Sequence, residues 1–368
     1  MKINNINNIN FNGKIIDSHV HSGFWYDKKY TLEDLDTFSK APLSNGDIVE
    51  KMLISSLDSM QKDGSLNEVQ GLEKILKETS NNPKYGVLAV CQPNLTNGDT
   101  REISQIIEQN RDRIFGLKFH PKVLNAPITK NSQVDENYVN YLKMAQEKKL
   151  PCLFHTEKGN ITSATQVYEL AKKAPNASVI LGHCGGYDGI DEAIEVIKKS
   201  IKNNDAKLYC DISWLDWKND LPDGAHKSVK KLIEQLKKIN ALDRILFGTD
   251  APLGCFGEKQ VGNIGHKEAY EKTVIGLKNM IKTEFGQEAD EIIEKIFYKN
   301  ANKLFFSRKA IKGKKAPILI AFAGIVGFLG ILGGVYIKNH TQKITKKQNN
   351  EISLINKNDI PSTFKAFM

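Results

Sequence analysis

The sequence predicts an α/β protein, a (β/α)8 TIM barrel followed by one C-terminal transmembrane helix, and three observations carry that reading. Eight short apolar, β-rich runs alternate with amphipathic helical stretches along the body of the chain, the order that right-handed βαβ crossovers and a parallel sheet require. No glycine fingerprint of an open, dinucleotide-binding sheet accompanies them. Beyond the last run, residues 316–337 are 22 residues without a charge. As a helix that run is about 33 Å long, enough for a hydrocarbon core of roughly 30 Å.

In chain order, residues 1–13 (MKINNINNINFNG) have neither an apolar core nor a cleavage site and read as a disordered lead-in, not a signal peptide. Strands are expected at 14–21, 53–60, 86–92, 114–121, 151–157, 178–185, 206–215 and 244–252. Helical periodicity occupies 68–80, 101–111, 138–149, 165–173, 191–203, 227–239 and 268–282, with apolar residues three and four apart. The connection from His21 to Leu53 is the least regular and is expected over the barrel mouth. A helix at 290–299 and the stretch 300–306 close the barrel, so the barrel domain is expected to span 14–306. A basic linker, 307–315, the transmembrane helix, 316–337, and a polar basic tail, 338–368, complete the chain. Gly324, Gly327, Gly330, Gly333 and Gly334 line one part of the apolar run and offer a close-packing surface. A homodimer through this Gly-rich helix or through the barrel is therefore one expectation.

The 368 residues are 40% hydrophobic and 26% charged, a composition that excludes wholesale disorder. The net charge of +9 belongs to the tail, because residues 306–368 hold eleven Lys/Arg against two Asp/Glu. The body is neutral and gives no support for binding nucleic acid. Five cysteines with no C-x-x-C argue against a disulfide framework and for a reducing compartment. Arg308, Lys309, Lys312, Lys314 and Lys315 precede the apolar run, so a single-pass membrane location with the barrel in the cytoplasm is expected.

Five of the eight histidines, His19, His21, His120, His155 and His183, fall in predicted strands. Barrel active sites occupy the C-terminal ends of such strands. The first strand reads Asp17-Ser18-His19-Val20-His21, and a period of two puts Asp17, His19 and His21 on one face. Two imidazoles so spaced can chelate a divalent cation, and Asp17 can orient a ligand ring. Polar residues recur at later strand ends: Lys118 and His120, His155, His183 and Asp250.

These motifs in this order, D-x-H-x-H, G-L-K-F-H-P, F-H-T, L-G-H-C-G-G, F-G-T-D-A-P and N-A-N-K-L-F-F, resemble the amidohydrolase superfamily, specifically its amidohydrolase-related branch of barrel hydrolases and decarboxylases. The likeness runs from about Lys14 to Phe306, and the apolar helix is a departure from it. The resemblance implies that His19, His21, His155 and Asp250 hold one divalent metal, zinc or alternatively manganese, with Asp250 and His183 catalytic. Lys118 would either be carbamylated, completing a second metal site with His183, or bind a substrate oxygen beside His120. The implied activity is hydrolysis of an amide, cyclic amide, lactone or ester of a small-molecule substrate. The alternative is non-oxidative decarboxylation of an unsaturated or aromatic acid, for which Arg101 is the one arginine near an active-face loop. A third reading, an inactive membrane-tethered scaffold, is opposed by the filled ligand positions. Trp25, Tyr26, Trp214 and Trp217 are candidates to line the substrate pocket. Cys184 and Cys255 read as small buried groups.

Overall fold

The computed structural model describes residues 13–307, apart from 26–27, 61–65, 160, 187, 216–225 and 253–257. Tyr26, Trp217 and Cys255 lie outside the described residues. So do the lead-in up to residue 12, the linker beyond Ser307, the 316–337 run and the tail. The single-pass membrane location is corrected here. Among the described residues no helix is long and apolar enough to cross a membrane, and the run on which the expectation rested lies outside them. Even the longest of the described helices, Glu258–Phe285, carries Lys and Glu along its length.

Among the described residues eight strands form the barrel: β1 Lys14–Trp25, β2 Ile48–Ser56, β3 Tyr85–Val90, β4 Ile114–Phe119, β5 Cys152–His155, β6 Ser178–Gly182, β7 Lys207–Asp211 and β8 Ile245–Leu246. They pair in chain order and in parallel. A short strand, Lys28–Tyr30, folds back antiparallel on β1. The β8–β1 seam is closed by backbone bonds from Ser18 N to Phe247 O (3.0 Å), His21 N to Ala251 O (2.7 Å) and Asp250 N to His19 O (2.7 Å). The fold is thus the expected TIM-barrel-like α/β architecture, and its seam runs between the His19/His21 strand and Asp250. β2 starts earlier than expected, and it ends at Ser56 because Leu57–Ser59 winds into a single turn.

Helices α1 Leu32–Ser39, α2 Glu68–Glu78, α3 Arg101–Gln109, α4 Glu136–Lys148, α5 Ala164–Ala171, α6 Ile190–Asn203, α7 Lys227–Lys237, α8 Glu258–Phe285 and α9 Ala289–Glu294 surround the strands. α1 lies in the connection that had no clear periodicity. Its start is set by a capping box, with the Thr31 and Asp34 side chains each bonded to the other's backbone. Side-chain caps from Asn67, Asp135 and Ser163 start α2, α4 and α5.

Two apolar layers hold the strands. Outward-facing residues such as Ile15, Val20, Met52 and Val87 pack against the helices. Inward residues Ile16, Leu53, Leu88, Leu153, Ile180 and Leu246 form the barrel floor, plugged by Ala301 and Phe305. Asn300 ties that closing segment to β8 by donating to Leu242 O and Ile245 O, each at 2.8 Å. The N-A-N-K-L-F-F motif therefore seals the end of the barrel opposite the strand-end polar residues.

Parity along β1 is broken on the way up. The β1–β2 register slips between Asp17 and Val20. Ile16 faces the floor, yet Val20 faces the helices with Ile15. Such an irregularity re-aims side chains near a site. It turns His19 and His21 inward but leaves Asp17 in the parity of Ile15.

Candidate metal centre

His19 Nε2 and His21 Nε2 lie 3.1 and 2.8 Å from the same atom, Asp250 Oδ1. All three side chains are buried. The partners on the other ring nitrogens assign the tautomers. His19 Nδ1 meets the Asp211 carboxylate at 3.0 Å. His21 Nδ1 meets Ser55 Oγ at 2.8 Å, and that hydroxyl in turn donates to Val20 O. Both Nδ1 atoms therefore carry the hydrogen. Two imidazole lone pairs and a carboxylate oxygen are left aimed at one spot, an arrangement that needs a cation. His19, His21 and Asp250 are one of two described groups able to hold a metal, and the other is His19, His183 and Asp211. The nitrogen-and-oxygen donor set suits zinc. Lys118 Nζ lies 2.6 Å from His19 Nε2.

Burial, with Lys118 adding to it, lowers His19 to about 4 against the pull of Asp211 and Asp250. Burial also lowers His21. For Asp250 burial acts upward but is outweighed by His19, His183 and His21, which hold the carboxyl well below its ordinary range. Asp211 is held low against its own burial, chiefly by His19. Lys118 is brought down to about 8 by burial, opposed by Asp250 and Asp211.

The β6 end turns through left-handed backbone at His183 (φ 59°) and Cys184 (φ 46°), which rare geometry is common at functional sites. His183 N donates to Asp211 Oδ1 at 3.1 Å, and His183 Nδ1 meets Ser213 Oγ at 2.8 Å. The Ser213 hydroxyl donates to Asp211 in turn. His183 Nε2 faces His155 Nδ1 at 3.1 Å, and His155 Nε2 faces Glu157 Oε1 at 2.9 Å. His120 stacks on His155 with ring centroids 4.0 Å apart. Burial holds His155 and His183 below their ordinary range.

Most of the expected residues are thus brought together, with two changes. His155 is not in the His19–His21–Asp250 group but stands beside His183. Asp17 orients no ring nitrogen: its carboxylate accepts from His19 N (3.2 Å), Thr249 N (3.1 Å) and Thr249 Oγ1 (2.6 Å). The slipped register of β1 is the reason, and the ring-orienting place belongs to Asp211. Burial raises Asp17 to about 7. Trp25 lies 5.9 Å from His120 and Trp214 lies 6.1 Å from His183, centroid to centroid. Arg101 is exposed and pairs with Asp99. Asp211, Ser213, Ser55 and Glu157 were missed as functional positions. The D-x-S at the seventh strand end carried a signal, being polar where a core residue is expected, whereas nothing local distinguishes Ser55.

A parallel barrel whose strand ends converge two imidazoles and a carboxylate defines a metal-dependent barrel enzyme. A family model described as amidohydrolase matches residues 74–306, so the chain belongs to the amidohydrolase family, a group of metal-dependent enzymes. The match begins after the H-x-H strand. Among solved structures, a probable 2-pyrone-4,6-dicarboxylic acid hydrolase from Acinetobacter baumannii is 13% identical with a TM-score of 0.51, covering 79% of this chain and 98% of that one. An amidohydrolase from Burkholderia multivorans with bound zinc is 12% identical with a TM-score of 0.52, covering 79% and 99%. At these identities the likeness is one of fold. No curated protein matches the sequence.

Proposed function

We propose that this chain is a metal-dependent hydrolase that cleaves an amide, cyclic amide, lactone or ester of a small-molecule substrate. In this reading one divalent ion, zinc or manganese, is held by His19, His21 and Asp250. The observation that carries it is the convergence of His19 Nε2 and His21 Nε2 on Asp250 Oδ1. A divalent ion held by these three residues would supply Lewis acidity and bring the pKa of a water toward about 7. Asp250 takes the proton of the attacking water and passes it to the leaving group. His183 has its Nδ1 hydrogen on Ser213, whose own hydrogen goes to Asp211. That leaves His183 Nε2 a lone pair, suited to accept a proton or hold a cation, not to polarise a carbonyl. The polarising place falls to Lys118, which reaches the centre from β4. His120, Trp25 and Trp214 border the substrate.

Full-length protein purified without chelator should contain about one divalent metal per chain and turn over members of a panel of lactones, amides and esters. Absence of metal, with no gain on adding Zn²⁺ or Mn²⁺, overturns the reading. About two metals per chain would place a carbamylated Lys118 between them. Release of CO₂ from carboxylated aromatics without hydrolysis would move the assignment to decarboxylation.

A further inference from the structure

Beyond His21, β1 continues to the mouth of the barrel and pairs with the short strand Lys28–Tyr30, with Gly23 opposite Tyr30, Phe24 opposite Lys29 and Trp25 opposite Lys28. This pair of strands is fastened to the barrel at a buried carboxylate. Asp58, in the turn after β2, is 4% exposed and accepts from Phe24 N at 3.0 Å through Oδ1. Its Oδ2 is paired with Lys74 Nζ of α2. Gly23 permits so close an approach. Its φ is +120°, a conformation that side chains disfavour, and a Cβ there would lie 2.8 Å from Asp58 Oδ2. The fastening decides where Trp25 stands. With Tyr30, Trp25 packs on Leu57, Met60 and Val90, a small apolar cluster over the ends of β2 and β3. From there its ring reaches His120, just past β4, with centroids 5.9 Å apart and planes tilted by 41°. Trp25 thus crosses one side of the mouth, from the end of β1 to the end of β4.

We propose that Asp58, anchored by Lys74, is a positioning residue that holds the end of β1 so that Trp25 forms a fixed wall of the substrate site, a wall that favours substrates with a flat ring beside the bond to be cleaved. A backbone N–H bonded to a carboxylate is a stronger tie than one bonded to a neutral acceptor. Pulling the strand away would also leave a buried carboxylate short of a donor, which costs more than the bond itself. An indole so held gains most from a second flat ring stacked on it or set edge-on against it. The substrate preference rests on the hydrolase function proposed above, while the positioning of Trp25 by Asp58 does not.

The first test is fluorescence of the full chain carrying Trp214→Phe and Trp217→Phe, which leaves Trp25 as its single tryptophan. In that background Asp58→Ala should move the emission to longer wavelength and raise the acrylamide quenching constant. Asp58→Asn keeps an oxygen for Phe24 N and should restore most of the original signal. Gly23→Ala, which presses on Asp58 from the other side, should behave like Asp58→Ala. Lys74→Met, at a partly exposed position, should act in the same direction but less, and it keeps the test open should the buried variants fail to fold. An unchanged Trp25 signal in the folded variants overturns the proposal. The second test is kinetic, with Trp214 and Trp217 in place, on two six-membered lactones. Dihydrocoumarin carries a fused aryl ring and δ-valerolactone carries none. Asp58→Ala and Trp25→Leu should each raise KM for dihydrocoumarin by about 3–10-fold and leave kcat, and both constants for δ-valerolactone, nearly as they were. Equal losses on the two lactones, or no turnover of dihydrocoumarin by the wild type, overturn the flat-ring preference. A Trp25 signal that moves as expected in a protein with no hydrolytic activity on any lactone, amide or ester supports the positioning role and overturns the hydrolase function.

Discussion

Asp250 combines burial with a charge that burial alone would remove, and its neighbours decide the outcome. Asp250→Asn keeps the volume and some metal affinity but loses the proton acceptor. Its kcat should fall by about 10²–10⁴-fold, read by steady-state assay on the substrate found in the panel, and near-wild-type turnover would dismiss Asp250 as the base. The two carboxylates near β1 should behave differently. Asp211 orients His19 and His183, so Asp211→Asn should weaken zinc by about 10–100-fold in equilibrium dialysis. Asp17 bonds Thr249 and backbone, so Asp17→Asn should leave zinc affinity nearly unchanged while lowering the melting temperature. Equal effects of the two on zinc would refute the division of roles. The strand pattern assigned ring orientation to Asp17, and the register slip in β1 is what takes it away.

Elements are joined by buried side chains whose partners come from elsewhere in the chain. Glu68, in the first turn of α2, accepts from Gln92 N at 2.9 Å and from Tyr141 of α4 at 2.7 and 2.8 Å. Burial raises it to about 7 despite those bonds. The unfolded chain loses this proton near the ordinary glutamate value of 4.5, so between there and about 7 the folded state binds more protons. Stability from this group therefore falls as pH rises through that window, by about 3 kcal/mol in all. Glu68→Gln should flatten the decline between pH 5 and pH 8 in urea unfolding, and an unchanged slope would locate the effect in another group. At the floor, Phe305 fills the barrel end. Phe305→Ala should cost about 3–5 kcal/mol, seen in the same unfolding experiment, with zinc affinity retained in the folded fraction.

At the scale of the molecule, the site and the seal occupy opposite ends of the barrel. Every residue assigned to the centre precedes Pro252, and the floor is completed by Ala301 and Phe305. A chain ending at Ser307 should fold, bind metal and turn over substrate as the full chain does. A chain ending at Lys299 lacks Asn300 and Phe305 and should fail to give a cooperative melt. Loss of zinc binding in the first truncation, or a native melt in the second, would contradict this division.

The alternation of strands and helices and the placing of five histidines and Asp250 at strand ends were legible in the sequence, because periodicity and polarity at a strand end are local properties. It also carried the closing motif, though not the reason for it. Tertiary structure decided the rest. Asp211 meets His19 across 192 residues of chain, and no local pattern announces such a partner. Asp17 lost its expected role to a register slip that depends on how β1 pairs with β2. His155 sits beside His183, not within the His19–His21–Asp250 group, because where a strand end points depends on barrel closure and on what packs against it. Hydrogen-bond partners and side-chain direction are set by which strand ends meet, and that is fixed only when the barrel closes at the β8–β1 seam.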